Sequence, residues 1–515
     1  MATVRCETCL TNAMPSSRSS GILLHPTSLP GPFGVGDLGP EARRFVDYLA
    51  SAGQSLWQVL PLGPTGYGDS PYQCFSALAG NPLLISLEDL AYTSSAPPAF
   101  CADRVEFEQV IPWKMAALNA AAAQFRQSAS NTERRRFEEF CDKNGDWLDD
   151  YALFMSLKGL DMSRVWSQWD EDIRARDSQA MKQWRTRLAE PIATQKFLQY
   201  TFFSQWGSLR SYCRERGVEI MGDLPIYVAH DSVDVWAQPQ YFQLDEAANP
   251  AVVAGVPPDY FSATGQLWGN PIYAWERLAH DDYGWWLNRF RGVLMLVDLV
   301  RLDHFRGFEA YWEIPGGAPT AESGRWVKAP GRDLFQTLRE SLGHLPLVAE
   351  NLGVITPEVE ALREEFGFPG MSILQFAFGK DPQARSFQPH NYPREIVAYT
   401  GTHDADTTVG WWTSRGHGES TRTAQDISEE REHTRRYLNS DGSRIHWDFI
   451  RALLASVADR VLIPLQDVLG LGSEARMNQP ATLGGNWRWR FRPEMLTART
   501  AQELRALSEL YERGG

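Results

Sequence analysis

Residues 301–307 read RLDHFRG and follow a run at 293–300 that is apolar except for Asp298. Such a run is typical of a buried strand, and a charged cluster at its end is costly to place unless the strand tip opens into a site. Arg301 and Asp303 lie two positions apart, so their side chains point to the same face of a strand. A neighbouring arginine favours the ionised form of a carboxylate, as a nucleophile requires. A structural ion pair is the alternative, and this stretch alone does not separate the two.

The composition is that of a globular protein, with 43% hydrophobic and 22% charged residues in a chain of 515. The formal net charge of −14 argues against a nucleic-acid partner or an anionic membrane surface. No apolar run is long enough to span a bilayer. The 19 Trp, 17 Tyr and 25 Phe residues are informative near loop motifs, because aromatic faces stack on sugars as well as filling cores. These features predict a soluble enzyme that acts on a neutral substrate.

The six cysteines are scattered along the chain and no secretory signal is recognisable, which predicts a reducing compartment and a cytoplasmic location. Cys6 and Cys9 form a CxxC pair without a second pair or histidines nearby, so we interpret the pair as incidental rather than as a zinc site. Residues 1–20 are rich in serine and irregular, which predicts a flexible N-terminal tail. A plastid transit remnant is the less favoured alternative, because the segment is short and carries Glu7.

Buried strand candidates recur along the chain, and helical segments separate most of them. The candidates are residues 21–24, 55–62, 218–225, 293–300, 345–349, 372–378, 395–400 and 461–465. About eight strands that alternate with helices indicate the α/β class and a (β/α)8 TIM barrel. An open doubly wound sheet is the alternative, but neither a GxGxxG nor a P-loop sequence follows any of these strands.

Three connections between strand candidates are too long for a single βα unit. We therefore predict one catalytic barrel over residues 21–515, with inserted subdomains at about 75–195, 229–290 and 313–335. Helical composition and spacing mark the first insertion. The second is dense in Pro, Gly and aromatic residues around 254–271, which predicts an ordered active-site loop.

The C-terminal ends of the strands of a barrel face one site, so acids at these ends are candidates for chemistry. They are Asp223, Asp303, Glu350, Asp404 and Asp467. Glu350 follows an apolar strand, and partial desolvation would raise its pKa and keep it protonated, as a general acid requires. Asp404 lies in GTHDADT at 401–407, where a metal site or a helix cap is also open, although the cap fits Asp406 better.

Three acids, one of them with an arginine two residues away, fit glycosyl transfer with retention of configuration. One carboxylate attacks the anomeric carbon, and a second carboxyl roughly 5–5.5 Å away protonates the leaving oxygen and then takes a proton from the acceptor. A third carboxylate binds sugar hydroxyls and stabilises positive charge on the ring. Metal-dependent hydrolysis is the alternative, but no HxH or HxxxH pair accompanies His403 and Asp404. The chemistry requires no metal and no organic cofactor.

The sequence resembles the amylomaltase (4-α-glucanotransferase, disproportionating enzyme) family of the α-amylase superfamily. The matching stretches are HPTSLPGPFGVGDLG at 25–39, GPTGYGDSPYQ at 63–73, GDLPIYVAHDSVDVW at 222–236, VAGVPPDYFSATGQLWGNP at 253–271, RLDHFRGFEAYW at 301–312, AENLGVITPEV at 349–359, GTHDADT at 401–407 and NWRWR at 486–490. The resemblance implies a (β/α)8 barrel with inserted subdomains and no separate C-terminal β-domain. It also implies transfer of an α-1,4-glucan segment from a donor to the 4-OH of an acceptor glucan or glucose.

The resemblance also implies roles for residues at the strand ends. Asp303 would be the nucleophile, Glu350 the general acid/base and Asp404 the transition-state stabiliser. Arg301 would orient Asp303 and keep it ionised, and His403 would bind hydroxyls of the reacting sugar.

Five further substrate contacts are implied on loops. Tyr72 would stack near the reacting sugar, and Tyr67 would contact the glucan more remotely. Asp259 and Trp268 would lie on the loop that closes over the acceptor side. Asn478 would also meet the substrate.

Four other positions in these motifs need separate mention. His304 and Asp223 match the family motifs, and for both residues a supporting role and direct contact stay open. Ala405 stands where the family more often has Asn, and Ala481 stands where Gly is usual. Neither departure removes a catalytic group, and both bear on the geometry of the sugar-binding loops.

The residues leave three outcomes open for a bound glucan: transfer, hydrolysis by the same carboxylates, or binding without catalysis. Transfer needs acceptor binding and exclusion of water, and the stretch at 255–271 with Trp268 is the candidate for both. The presence of all three acids weighs against a non-catalytic binding protein. The expected partners are α-1,4-glucans and maltooligosaccharides, with glucose as an acceptor.

Overall fold

The computed structural model describes residues 18–92, 96–258, 264–416, 423–480, 482 and 484–514. The strands in these ranges are β1 (Ser19–Leu23), β2 (Leu56–Gln58), β3 (Glu219–Leu224), β4 (Val252–Val256), β5 (Gln266–Pro271), β6 (Leu299–Leu302), β7 (Ala310–Pro315), β8 (Arg325–Lys328), β9 (Leu347–Ala349), β10 (Gly370–Ile373), β11 (Ile396–Tyr399) and β12 (Arg460–Pro464). The helices in the same ranges are α1 (Pro40–Ser51), α2 (Phe107–Ser128), α3 (Asn131–Lys143), α4 (Gly145–Lys158), α5 (Glu171–Arg174), α6 (Ser178–Arg187), α7 (Ala189–Glu215), α8 (Val233–Ala237), α9 (Trp275–His280), α10 (Gly284–Leu296), α11 (Gly331–Leu342), α12 (Pro357–Glu365), α13 (Thr408–Thr413), α14 (Ala424–Leu438), α15 (Ile445–Ala455), α16 (Leu465–Leu469) and α17 (Ala498–Leu510).

Eight of the described strands form a parallel sheet in the order β10-β11-β12-β1-β2-β3-β6-β9. The N–H of Ala349 donates to the carbonyl of Pro369 across 2.8 Å, which joins the two outer strands and closes the cylinder. One buried apolar cluster is made of strand residues Leu56, Met221, Val348, Met371, Ile373, Val397, Tyr399 and Leu462. After β12, the described chain contains α16, α17 and turns rather than a β-domain. The predicted (β/α)8 TIM barrel without a separate C-terminal β-domain is confirmed.

The first strand begins at Ser19, two residues before the predicted start and inside the predicted tail. Its partner explains the difference, because Ser19 and Ser20 pair with Arg460 and Val461 of β12. A pairing over such a separation along the chain is not visible in the local composition of a serine-rich segment.

The fourth barrel strand also differs from its prediction. The run at 293–300 reads as one strand, but its first half ends α10 and β6 covers only Leu299–Leu302. An apolar run without clear periodicity suits the buried end of a helix as well as a strand. Arg301 therefore lies within the strand, and the N–H of Asp303 continues the ladder by donating to the carbonyl of Leu224 across 3.0 Å.

A second sheet lies outside the barrel and is antiparallel, in the order β5-β4-β7-β8. The connection after β3 supplies β4 and β5, and the connection after β6 supplies β7 and β8. The stretch around 254–271, predicted as an ordered loop, is therefore largely a pair of strands; residues 259–263 lie outside the described ranges. The prediction missed these strands because β4 pairs with β7, which local composition does not reveal.

The helices α2–α7 lie in the connection between β2 and β3. A fully buried lysine, Lys114 of α2, links them to two loops. Its Nζ donates to the carbonyl of Leu83, in the loop after β2, at 2.7 Å and lies 3.4 Å from Oδ2 of Asp37, in the loop after β1. A buried ammonium is tolerated only with such partners. Among the described helices, none has the length and the apolar composition that crossing a membrane would need.

Arg513 joins the start of β1 to the last described residues. Its buried guanidinium donates to the carbonyls of Leu454 at 2.7 Å and Ser456 at 2.9 Å, and more weakly to those of Ser19 and Asp459 at 3.3 and 3.4 Å. Arg18 also donates to the carbonyls of Leu454 and Ser456, so removal of the Arg513 side chain would take away one of two buried donors there.

We expect Arg513→Ala to lower the free energy of unfolding by about 1–3 kcal/mol, because buried carbonyls lose one of their donors and the buried guanidinium is replaced by empty space. The exposed Arg499 of α17 provides a matched control, and Arg499→Ala should change stability by no more than about 0.5 kcal/mol. Calorimetric melting of both variants checks the difference. Equal melting temperatures would show that the guanidinium contributes nothing to stability.

Candidate active site

The buried guanidinium of Arg301 joins three carboxylates at the C-terminal ends of three neighbouring strands. Its Nη1 lies 2.6 Å from Asp223 Oδ2 and 3.1 Å from Asp303 Oδ1, and its Nη2 lies 2.8 Å from Glu350 Oε1. The parallel register explains the meeting, since Arg301 is opposite Asp223 of β3 and opposite Val348 of β9, two residues before Glu350. The structure thus brings the predicted nucleophile and the predicted acid onto one arginine.

The two carboxyls have opposite pKa shifts. Burial raises the pKa of Asp303 well above its usual range, and the neighbouring charge of Glu350 adds to this, while Arg301 opposes it. Burial also acts on Glu350, but Arg301 and the backbone N–H of His304 outweigh it and lower the pKa of this carboxyl. The His304 nitrogen lies 2.6 Å from Glu350 Oε2. Burial thus disfavours the carboxylate form of Asp303, whereas the two donors favour the carboxylate form of Glu350.

These pKa directions differ from the sequence expectation, in which Arg301 keeps Asp303 ionised and burial keeps Glu350 protonated. The difference is geometric, because both oxygens of Glu350 face a donor. One accepts from Arg301 and the other from the His304 N–H. The spacing of residues along the chain does not show that the Arg301 guanidinium contacts Glu350 as well as Asp303. Nor does it show that the His304 N–H is a second donor to Glu350.

Aromatic rings form the wall beside Asp223. The Tyr72 hydroxyl donates to Asp223 Oδ2 at 2.9 Å, and burial raises the pKa of this phenol well above its usual range, so it stays a donor. The Tyr72 ring stacks on His403 with centroids 5.1 Å apart and planes 14° apart, and Trp487 lies 5.9 Å from both rings. Sequence reasoning noted the NWRWR motif but did not single out Trp487. Tyr67 does not join this wall, because it is 72% exposed.

Asp404 is held at the edge of the cleft by a short loop around 476–478. The Nδ2 of Asn478 donates to Asp404 Oδ1 at 2.6 Å, and His403 Nε2 lies 3.3 Å from the same oxygen. Arg476 donates to the backbone carbonyls of Asp404 and Asn478 at 2.6 and 2.7 Å. The Asp404 side chain remains 45% exposed, so it is accessible from solvent. Sequence reasoning missed Arg476, although its place two residues before Asn478 was a usable signal.

Two other acids of this region, Asp406 and Asp467, lie beside the start of α13. Asp467 is buried, and it accepts from the Thr408 N–H at 2.6 Å and from the hydroxyls of Thr400 and Thr408. Asp467 therefore stabilises the start of α13 through these hydrogen bonds. Its position at a strand end had made it a candidate for a catalytic acid. The helix cap, an alternative that fitted Asp406 better than Asp404 in the sequence, is Thr407, which caps α13 and accepts from the Gly410 N–H at 3.0 Å.

The outer sheet contacts the loop after β6 through Trp268 of β5. Its ring meets the His304 ring edge to face, with centroids 4.8 Å apart and planes 88° apart. A second link joins β5 to the loop of Tyr72, since Gln73 Nε2 donates to Asn270 Oδ1 at 3.1 Å. Two predicted positions, Asp259 and Ala481, lie outside the described residues. In the part of the chain that is described, no group of three or more His, Cys, Asp or Glu side chains is placed to hold a metal ion.

Comparison with known proteins agrees with this geometry. Residues 24–497 match the model of a family described as 4-alpha-glucanotransferase. A 4-alpha-glucanotransferase from Synechocystis sp. is 51% identical over 510 residues, covering 97% of this chain and 99% of the relative. One from Thermus thermophilus is 50% identical over 511 residues, covering 97% and 100% of the two chains. A solved structure of an amylomaltase from Streptococcus agalactiae in complex with acarbose is similar at 38% identity with a TM-score of 0.91, covering 97% of this chain and 100% of that chain.

Proposed function

The chain belongs to the 4-alpha-glucanotransferase family, and we propose that it carries out glucan transfer by a retaining double displacement on the carboxylates around Arg301. Asp303 is the nucleophile, Glu350 the general acid/base and Asp404 the stabiliser of the charged sugar. The observation that supports this proposal is the contact of Asp303 and Glu350 with the same buried guanidinium. A retaining mechanism needs two carboxyls that lie close to each other.

The first step breaks the donor glycosidic bond. Asp303 attacks the anomeric carbon as a carboxylate, while Glu350 gives its proton to the oxygen of the departing glucan. This step requires Glu350 to carry the proton and Asp303 to be ionised. The leaving oxygen is an acceptor that favours a protonated Glu350, and sugar hydroxyls near Asp303 are donors that favour its carboxylate.

The second step forms the new bond. Glu350, now a carboxylate, takes the proton from the 4-OH of the acceptor, and that oxygen displaces Asp303 from the anomeric carbon. Asp404 is accessible from solvent, and its negative charge stabilises the positive charge of the sugar in both transition states. The acceptor is a maltooligosaccharide or glucose, because a pyranose 4-OH is all that the second step requires.

Water competes with the acceptor for the covalent intermediate. Trp268, on strand β5 of the outer sheet, packs against His304, which follows Asp303 in the chain. An aromatic face there binds the C–H face of an acceptor sugar and excludes water. This favours transfer over hydrolysis by the same residues.

Incubation with maltotriose alone tests the proposal. We expect glucose together with maltooligosaccharides longer than maltotriose, while the concentration of reducing ends stays nearly constant, because each transfer breaks one glycosidic bond and makes another. Chromatography of the products and a reducing-end assay on the same samples check both parts. A steady rise in reducing ends would indicate a hydrolase, and an absence of products would indicate a binding protein.

A further inference from the structure

We propose that His304 is a positioning residue, which holds the Glu350 carboxyl through its own backbone N–H because it adopts a left-handed conformation. The proposal rests on the acid/base role of Glu350 proposed above. It assigns the essential contribution of His304 to its backbone.

The backbone of His304 has φ 49° and ψ 51°, in the left-handed helical region. Residues with a Cβ rarely occupy this region, and such outliers are concentrated at active sites where surrounding structure enforces them. The turn aims the His304 N–H at Glu350 Oε2, with the nitrogen 2.6 Å from the oxygen. The next N–H, that of Phe305, donates to the backbone carbonyl of Glu350 across 3.2 Å. A change of φ at His304 would turn its donor away from the carboxyl.

The ring of His304 contacts a residue of the outer sheet. It packs edge to face on Trp268, whose own Nε1 donates to Gln266 Oε1 at 3.1 Å. Burial lowers the pKa of His304 to about 4, so the ring is neutral at neutral pH. The ring therefore contributes contact rather than charge, and this contact helps to hold the left-handed turn.

The hydrogen bond matters because Glu350 must give up and regain a proton. An N–H that donates to a carboxylate favours its ionised form, so it makes Glu350 a stronger acid. Arg301 occupies the other oxygen at 2.8 Å, and the two donors together fix the plane of the carboxyl. The titratable and charged groups that face this carboxyl are Arg301, Asp303, Asp223, His304, His403 and Tyr399.

A series of four replacements separates the backbone of His304 from its ring. Asn and Gly accept left-handed φ, whereas Ala accepts it less readily and Val least, and all four lack the imidazole. We expect kcat for maltotriose in His304→Asn and His304→Gly to exceed that of His304→Val by roughly ten-fold or more, with His304→Ala between them.

The pH dependence of kcat/KM provides a second readout that a purely structural role would not change. Activity is lost at high pH as the acid loses its proton. Loss of the N–H donor raises the pKa of Glu350. The pH at which kcat/KM falls on the alkaline side (the high-pH limb) should therefore be higher in the Ala and Val variants than in the Asn and Gly variants. Melting temperatures of the four variants show whether activity merely follows stability.

Equal kcat values for all four variants would overturn the proposal, since the ring alone would then matter. Activities that follow the melting temperatures without a shift of the high-pH limb would overturn it as well. If the Val variant does not fold, the Ala and Gly variants carry the comparison. Glu350→Gln, assayed in parallel, tests the premise separately: if it stays active, the acid/base assignment fails, whatever the His304 series shows.

Discussion

Asp303→Asn is expected to lower kcat for maltotriose by a factor on the order of 10⁴ or more, because the covalent intermediate cannot form without the carboxylate. The replacement has nearly the same shape, and its amide oxygen still accepts from Arg301, which lies 3.1 Å from Asp303 Oδ1. The backbone N–H of residue 303 also keeps its place in the ladder to Leu224. The fold and glucan binding should therefore survive.

Two measurements separate loss of chemistry from loss of binding. Turnover of maltotriose gives kcat, and titration calorimetry with a maltooligosaccharide gives Kd, which should change by no more than a few-fold. Asp89→Asn is a matched control, because it also weakens an arginine pair, that with Arg43, but on the surface; its kcat should stay within about two-fold. An Asp303→Asn enzyme with a tenth of the normal turnover would remove Asp303 from the nucleophile role.

Glu350→Gln should produce a loss that depends on the leaving group. With maltotriose, whose leaving oxygen must be protonated, kcat should fall by roughly 10²–10⁴. With α-glucosyl fluoride, the leaving group is fluoride ion, which departs without being protonated. The first step should therefore be far less affected with this substrate. Added azide needs no general base and should then speed release of the enzyme from its covalent intermediate. Rates of fluoride release with and without azide measure both steps.

The same variant has a structural consequence. The Glu350 carboxylate offers one oxygen to Arg301 and the other to the His304 N–H, whereas an amide has a single acceptor oxygen. Glu350→Gln should therefore melt at a lower temperature than the exposed control Glu340→Gln. Equal losses with maltotriose and with the fluoride, in a protein that remains folded, would argue against the acid/base assignment.

The barrel was predictable from sequence because its strands are short apolar runs that recur between helices. The strand-end acids were predictable for the same reason, since parallel strands bring their C-terminal ends to one face. The outer sheet was not, because β4 finds its partner in β7, a segment of another connection. The strand predicted at 293–300 was wrong in its first half, which is the end of α10. Apolar character alone does not distinguish a buried helix end from a strand.

Within the site, residue types were easier to predict than their electrostatics. The sequence shows Arg301 next to Asp303, but not that its other nitrogen reaches Glu350. Nor does it show the left-handed turn at His304 that supplies a second donor. The pKa order of the pair depends on these two contacts, and both come from three-dimensional geometry. Arg476 escaped prediction in the same way, because its partners Asp404 and Asn478 are backbone carbonyls.

The pairing of β4 with β7 has a mechanical consequence for Trp268. The two strands exchange main-chain hydrogen bonds over Val252–Gly255 and Trp312–Pro315, and β7 belongs to the same connection that starts with Asp303. Separating β4 from β7 would break these hydrogen bonds. Because β5 pairs with β4, Trp268 is tied through this ladder to the connection that contains Asp303, so the two cannot shift independently without loss of main-chain hydrogen bonds.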